Sequence, residues 1–242
     1  MGWLDLPRVP EPEVMDEAGE VQAYSSAAAQ AYLSTIDESF VEHAIRLIAN
    51  MRAARVAGTV LDIGTGPGQI VLKLATHLPG WMIVAVDRAP NMIREALAAR
   101  QAAAASVSAE QRENPAARVE FLVADANRLP FADGTFDLVL CNSVLHHFEN
   151  PARVLAEIAR VAGPDAAILV RDIARPSRIA YPFHSRWFGR HYTGTMYNLY
   201  CASLRSAYTL GEIAAMLRQS PLREAHVFRR GRTHLGIERE AS

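Results

Sequence analysis

The stretch Asp62-Ile63-Gly64-Thr65-Gly66-Pro67-Gly68 sets one carboxylate and three glycines within seven residues. It lies between an apolar run that ends at Ile63 and a helix-favouring run that begins near Gln69. Glycine accepts positive φ and lets a ligand come close to the backbone. A helix that starts there offers unpaired N–H groups. Asp87 ends the next apolar run, 19 residues beyond Gly68, the place from which a carboxylate can take both hydroxyls of a ribose. These residues spell a nucleoside site. Their glycine spacing is not the G-x-G-x-x-G of a dinucleotide loop. Asp62 would repel a pyrophosphate, whereas it can accept from an ammonium group directly or through water. The chemistry favours a cationic nucleoside that carries an amino acid, S-adenosylmethionine, over a nicotinamide dinucleotide.

Further groups that can move protons stand downstream. His146 and His147 follow a fourth apolar run, and Asp172 ends a fifth. Imidazole titrates near neutrality, so either histidine is a candidate general base. The bland alternative is a short helical turn, His-His-Phe, packed against the next helix. Asp137 opens a strand and reads as structural. Residues 174–208 are rich in Arg, His, Tyr, Phe and Trp without a clear period. Arg175, His184, Tyr192 and Tyr197 are the substrate-contact candidates there, and His184 and His191 are further candidate bases. Six arginines between Arg171 and Arg205 face one acid, Asp172. That balance suits an anionic acceptor or partner, and equally a solvated basic face.

The elements that must position these groups follow from pattern. Thr59–Ile63, Met82–Asp87, Val119–Val123, Phe136–Cys141 and Ala166–Arg171 are β-branched or wholly apolar, as strands buried on both faces should be. Helix patterns near 69–78, 91–105 and 151–162 alternate with them, the last opened by Asn150-Pro151. The alternation implies an open, mostly parallel sheet with helices on both faces. Before it, residues 1–19 read as an irregular Pro-rich and acidic arm that packs on the body or stays mobile. Residues 20–34 form a candidate helix with Tyr24 and Tyr32, and a second helix starts near Asp37 with an apolar stripe from Phe40 to Met51. At the far end, Thr209-Leu-Gly-Glu212 spells a capping box. Strands at 225–229 and 233–238 would close the sheet as an antiparallel hairpin.

Composition bounds the rest. Half of the 242 residues are hydrophobic and 21% are charged, which excludes a disordered, collagen-like or disulfide-built chain. Basic and acidic residues number 25 and 26, so no global field recruits nucleic acid or a membrane. No apolar stretch approaches a membrane span, and the first residues lack the pattern of a signal peptide. Cys141 and Cys201 make no metal spacing, and no metal is expected. A reducing, cytoplasmic setting fits. A homodimer is compatible with everything above.

Four stretches together resemble the class I S-adenosylmethionine-dependent methyltransferases, and within them the branch around the ubiquinone/menaquinone C-methyltransferases. They are Val60-Leu-Asp-Ile-Gly-Thr-Gly-Pro-Gly68, Val86-Asp-Arg-Ala-Pro-Asn-Met92, Ala124-Asp-Ala-Asn-Arg-Leu-Pro-Phe131 and Phe136-Asp-Leu-Val-Leu-Cys-Asn-Ser-Val-Leu-His-His-Phe148. The resemblance covers just under half of the chain. It implies a seven-stranded Rossmann-like methyltransferase fold with an N-terminal helical extension. Residues 1–54 would cover the cofactor cleft and 55–173 would form the cofactor-binding core. Residues 174–208 would cover the acceptor site, and 209–242 would complete the sheet. Gly64, Thr65, Gly66 and Gly68 would line the methionine and ribose part, with Asp62 near the amino group and Asp87 on the ribose. Arg88 and Met92 would flank the adenine, Asp125 would accept from its amino group, and Ala126 would give the ring a backbone N–H. Asn142 and Ser143 would lie beside the sulfonium, and Tyr24 or Tyr32 would close over the cofactor. The family's Lys-Pro-Gly-Gly turn is here Ala162-Gly-Pro-Asp165, which still reads as a tight turn. The implied activity is methyl transfer to a small-molecule acceptor, with S-adenosylhomocysteine released. A cofactor-binding regulatory protein without methyl transfer is the alternative, with an RNA methyltransferase or a nicotinamide-dependent oxidoreductase further behind.

Overall fold

The computed structural model describes residues 3–11, 15–50, 57–106 and 114–241, with the side chains of 27–32 and of Asn50 outside that description. The strands are β1 (Gly58–Ile63), β2 (Trp81–Asp87), β3 (Val119–Val123), β4 (Phe136–Asn142), β5 (Ala162–Ile173), β6 (His226–Arg230) and β7 (His234–Arg239). They form one sheet in the order β3-β2-β1-β4-β5-β7-β6. The first five run parallel, and β7 runs antiparallel between β5 and β6. The described helices are α1 (Ala18–Ser25), α2 (Ala27–Asn50), α3 (Gln69–His77), α4 (Pro90–Ala105), α5 (Pro151–Val161), α6 (Tyr181–Trp187), α7 (Gly194–Ser206) and α8 (Leu210–Arg218). This is the open α/β sheet with a closing antiparallel hairpin that the sequence implies.

Strand alternation sorts the core into two apolar layers. Leu61, Ile63, Val139, Cys141, Ile168 and Val170 pack with α5 and α8 on one face. Val60, Leu138, Leu140, Ala167 and Leu169 pack with Phe40, Leu47, Val71 and Leu74 of α2 and α3 on the other. The same parity carries the polar residues at the strand ends. Asp62, Asn142 and Arg171 fall on the α2 face, and Asp172 falls on the opposite one. The strand order reverses between β1 and β4, so their carboxyl ends open a crevice of the kind that binds ligands in such sheets.

Local chemistry sets several boundaries. Asn150 caps α5, its Oδ1 accepting from the Arg153 amide at 3.2 Å. Thr209 and Glu212 make the expected reciprocal box at α8. Three expectations need correction. The first helical break is at Ser26, which turns extended at ψ 145, and α2 then continues through Thr35 and Asp37 without interruption. Gly163 and Pro164 do not make a tight turn but lie within β5, where the β4 pairing jumps from Phe136–Ala162 to Leu138–Ala167 and leaves a bulge. Residues 174–208, which show no clear period in the sequence, hold α6 and α7 with a short turn, Gly189–His191, between them.

Candidate active site

The glycine loop leaves β1 and turns back under β2. The amides of Gly64 and Thr65 donate to the Val86 carbonyl at 2.8 and 3.0 Å. Gly64, Gly66 and Gly68 all have positive φ, at 72°, 54° and 83°. Their surroundings differ. A Cβ on Gly64 would enter Val144, and one on Gly68 would meet the Phe121 ring at 2.7 Å. A Cβ on Gly66 would meet only Tyr24, at 3.9 Å. Gly66 is therefore the bare backbone that faces the cleft, while Gly68 is packed behind it. Asp87 lies beside this surface. Its Oδ2 accepts from the Gly66 amide at 2.8 Å and its Oδ1 from the Ala89 amide at 2.9 Å. Burial pushes its pKa up although those amides pull the other way.

The cleft wall continues through Thr65, Arg88 and Met92, then Asp125 and Ala126, then Asn142 and Ser143. The structure thus brings together most of the residues proposed from the sequence. Asp125 is held below the usual carboxylate range, against its partial burial, by the amide and side chain of Asn127. Its Oδ1 accepts from both at 2.8 and 2.9 Å, which fixes the loop after β3. Tyr24 lines the cleft from α1, and the Tyr32 side chain lies outside those described. Asp62 and Gly68 do not line it. Asp62 is 2% exposed, inside β1 beneath the loop, and burial with the neighbouring charges of Asp87 and Asp37 raises its pKa to about 7.

Asp37 went unread in the sequence as a site residue. It projects from α2 into the cleft, and burial raises its pKa to about 6 against the nearby charges of Arg171 and Lys73. Asp37, Asp62 and Asp87 together give the cleft a negative field that a cation relieves.

At the end of β4 the chain strains. Ser143 has φ 57°, the one positive φ of a non-glycine among the described residues. Such a conformation costs about 1 kcal/mol or more and persists where surroundings enforce it. Here the Ser143 amide donates to the Arg171 carbonyl at 2.8 Å.

A second cavity of about 460 Å³ opens from the cleft. The two share a wall of Met15, Tyr24, Leu33, Asp37, Asn142, Ser143 and His147. Beyond it, Tyr192, Met196, Leu199 and Tyr200 give the second cavity an apolar, aromatic side. Of the substrate-contact candidates only Tyr192 is there. Arg175 turns inward, donating to the Ala207 carbonyl at 2.8 Å and pairing with Glu212. His184 is buried against Phe188, and burial lowers its pKa. Tyr197 packs beside Tyr192 without reaching the cavity, and His191 is exposed. The expected basic face of the cover is divided: Arg190 lies over the Trp187 ring and Arg205 over Tyr181.

His146 and His147 do form a short helical turn, Leu145–His147, and both line the second cavity. Asp172 binds the turn from below. Its Oδ2 accepts from the His146 amide at 2.7 Å and its Oδ1 lies 2.6 Å from His146 Nδ1. Asp172 is 1% exposed and lines neither cavity, so it acts through His146 rather than on a ligand. Burial disfavours a charged His146, but Asp172 and Glu11 outweigh it and raise the pKa to about 9. Glu11 arrives from the N-terminal arm, which Arg8 and Val9 pin to the carbonyls of Ser206, His146 and Arg205. Asp16 accepts from the Asn91 amide at 2.8 Å and sets Met15 over the shared wall.

Residues 61–170 match the family described as a methyltransferase domain. The chain is 32% identical over 133 residues to the ubiquinone/menaquinone biosynthesis C-methyltransferase of Desulfotalea psychrophila, covering 54% of this chain and 48% of that one. It is 34% identical over 122 residues to the demethylmenaquinone methyltransferase of Thermus thermophilus, covering 50% of each. The chain spans about half the length of these curated relatives. The crystal structure of a SAM-dependent methyltransferase from Aquifex aeolicus superposes with a TM-score of 0.62 at 18% identity, covering 93% of this chain and 98% of that one. That likeness extends the shared fold beyond the matched core. No described helix is long and apolar enough to cross a membrane.

Proposed function

We propose, for a chain whose residues 61–170 match a methyltransferase domain, that it transfers a methyl group from S-adenosylmethionine to a small-molecule acceptor. The observation that carries this is the wall shared by the glycine-loop cleft and a second cavity with an apolar, aromatic side. A group that crosses from one to the other must pass Tyr24, Asp37, Asn142 and Ser143.

The residues fit the cofactor. Gly66 leaves an open cradle that a side chain would narrow, and Asp87 stands beside it with its two oxygens oriented by backbone amides. The half-buried Asp37 and Asp87 on the cleft, with Asp62 beneath it, suit a ligand with an ammonium and a sulfonium. When bound, the cofactor supplies an electrophilic methyl carbon whose bonding pair to sulfur leaves with the sulfur as S-adenosylhomocysteine.

The chain's own work is to hold, align and dry the reacting groups. Asp87 would hold the ribose, and Arg88, Met92, Asp125 and Ala126 would hold the base. Asn142, fixed by Arg171, and the strained Ser143 would form the rim beside the methyl carbon. Tyr192, Met196 and Tyr200 would seat an apolar acceptor. Where that acceptor carries a proton, Asp37 and His147 are candidate acceptors for it on the shared wall, and Asp37 has a pKa close to the working range.

Thermal unfolding with S-adenosylmethionine, S-adenosylhomocysteine and NADH tests the reading, with Asp87→Ala as control. A ligand at a hundred times its dissociation constant adds about 2.7 kcal/mol to stability. Both sulfur nucleosides should raise the midpoint of the native chain and neither should raise that of the variant. A shift with NADH alone, or none at all, would sink the proposal.

A further inference from the structure

We propose that Glu11, His146 and His147 form a divalent-metal site whose open side faces the acceptor cavity. Glu11 Oε1 lies 3.2 Å from His146 Nε2 and 3.2 Å from His147 Nδ1. The three donor atoms all lie within 4.8 Å of one another. For the two Glu11–histidine pairs, ligands about 2.1 Å from a common ion and 3.2 Å apart subtend about 100° at it, between tetrahedral and octahedral values. Two imidazoles and one carboxylate are a common donor set for zinc, iron, cobalt or nickel.

The surroundings of His146 supply an independent argument. A metal-binding histidine characteristically gives its other ring nitrogen to a carboxylate, which fixes the tautomer and aims the lone pair. Asp172 stands in that relation to Nδ1 at 2.6 Å, and it also holds the residue's amide. The opposite nitrogen, Nε2, is buried and makes no aligned hydrogen bond. An imidazole fixed by a carboxylate on one side, whose other nitrogen shares Glu11 Oε1 with a second histidine, is built to bind something compact and positive.

His146 and His147 both line the 460 Å³ cavity, so the positions that the three side chains leave free point at the acceptor. This part of the inference rests on the reading of that cavity as the acceptor site. It narrows the acceptor class to molecules with an oxygen, nitrogen or sulfur donor able to enter a metal's coordination shell. A bound hydroxyl or thiol loses its proton more readily. Its proton would go to solvent or Asp37, its lone pair would form the bond to the methyl carbon, and the carbon–sulfur bond would break toward sulfur. The site also ties the N-terminal arm to the core, because Glu11 belongs to the arm.

Titration of tag-free, chelator-treated protein with Zn²⁺ by calorimetry and with Co²⁺ by visible absorption tests the site. The native chain should bind one equivalent, with d–d bands of a low-symmetry histidine and carboxylate site. Glu11→Gln should weaken binding at least tenfold while circular dichroism and S-adenosylhomocysteine binding stay unchanged, and His147→Ala should weaken metal binding by a similar factor. Asp172→Asn should weaken it tenfold to a hundredfold. Zn²⁺ should slow proteolysis of the arm in the native chain and not in Glu11→Gln. No binding, or binding that the Glu11 and His147 variants leave intact, would overturn the proposal. Loss of nucleoside binding in the native chain would instead defeat the methyltransferase reading and leave the metal titration standing.

Discussion

Arg171 Nε donates to Asn142 Oδ1 at 2.9 Å, from the end of β5 to the end of β4. The same guanidinium reaches α2, donating to Ser39 Oγ at 2.7 Å and to the Ile36 carbonyl at 3.0 Å. It lies 4.8 Å from the Phe40 ring centroid and is 1% exposed. One side chain therefore fixes the cleft rim and the cover helix that carries Asp37.

Replacing it should cost both stability and binding. Arg171→Met keeps the bulk but leaves the Asn142 and Ile36 oxygens unmatched, a loss of about 3 kcal/mol. Urea unfolding should show the free energy of unfolding fall by that amount and the midpoint fall with it, with Arg171→Lys between the native chain and Arg171→Met because an ammonium cannot span three acceptors. Nucleoside affinity should fall in the same order. An unchanged midpoint in Arg171→Met would mean that the contacts contribute nothing.

The glycines of the loop should separate by role. Gly68→Ala forces a Cβ into the Phe121 ring at a residue with φ 83°, so the fold should lose stability by more than the roughly 1 kcal/mol of left-handed backbone strain. Gly66→Ala meets no atom closer than 3.9 Å and should cost only that strain. Its Cβ would stand in the cleft, so nucleoside binding should weaken far more than stability does. Chemical denaturation beside calorimetric binding reads both. Equal losses in the two measurements for Gly66→Ala would remove it from the binding surface.

Asp37 should report on the charge of the transferring group. It is the one carboxylate on the wall shared by the two cavities. S-adenosylmethionine carries a sulfonium where S-adenosylhomocysteine carries a neutral thioether. Asp37→Asn should shift the ratio of their dissociation constants by about tenfold against the sulfonium, the size of one partly screened charge pair. Binding measured at pH 8, where the carboxylate is ionised, needs no acceptor. A ratio that does not move would place Asp37 away from the sulfur.

Much of the cleft was legible because its chemistry is local. Gly64, Gly66 and Asp87 lie at adjacent strand ends, and strand–turn–helix grammar alone brings them together, while Asp62 and Gly68 of the same motif sit behind the cleft surface. The groups that the sequence hid arrive by docking. Asp37 sits in a long helix where an acid between Ile36 and Phe40 reads as a solvated position, and only packing of α2 on the sheet turns it inward. Glu11 belongs to an arm without periodicity. Arg171 and Asp172 are neighbours in the chain yet serve opposite faces, since strand parity sends one to α2 and the other to the His146 turn. The reverse error came from composition: Arg175 and His184 looked like acceptor ligands in an aromatic, basic segment, and each is spent on packing the cover.

The buried acids should couple proton and ligand binding. Asp62 titrates at about 7 and Asp37 at about 6, both raised by burial first. Asp87 and Asp37 add repulsion at Asp62, while Arg171 and Lys73 oppose the rise at Asp37. Unfolded carboxyls titrate near 4, so between about pH 4 and 7 the folded chain holds more protons than the unfolded one. These two groups therefore favour the unliganded fold at the acid end of that window, and their contribution is lost as pH rises through 6 to 7. A cationic ligand stabilises the ionised carboxylates and lowers both pKa values. Binding of S-adenosylmethionine at pH 6.5 should then release protons, and its affinity should rise with pH until about 7 and level off. Calorimetry at pH 6.5 in two buffers of different ionisation enthalpy measures the number released. Asp37→Asn should release fewer. Heats that do not depend on the buffer would mean that the acids do not face the cofactor's charge.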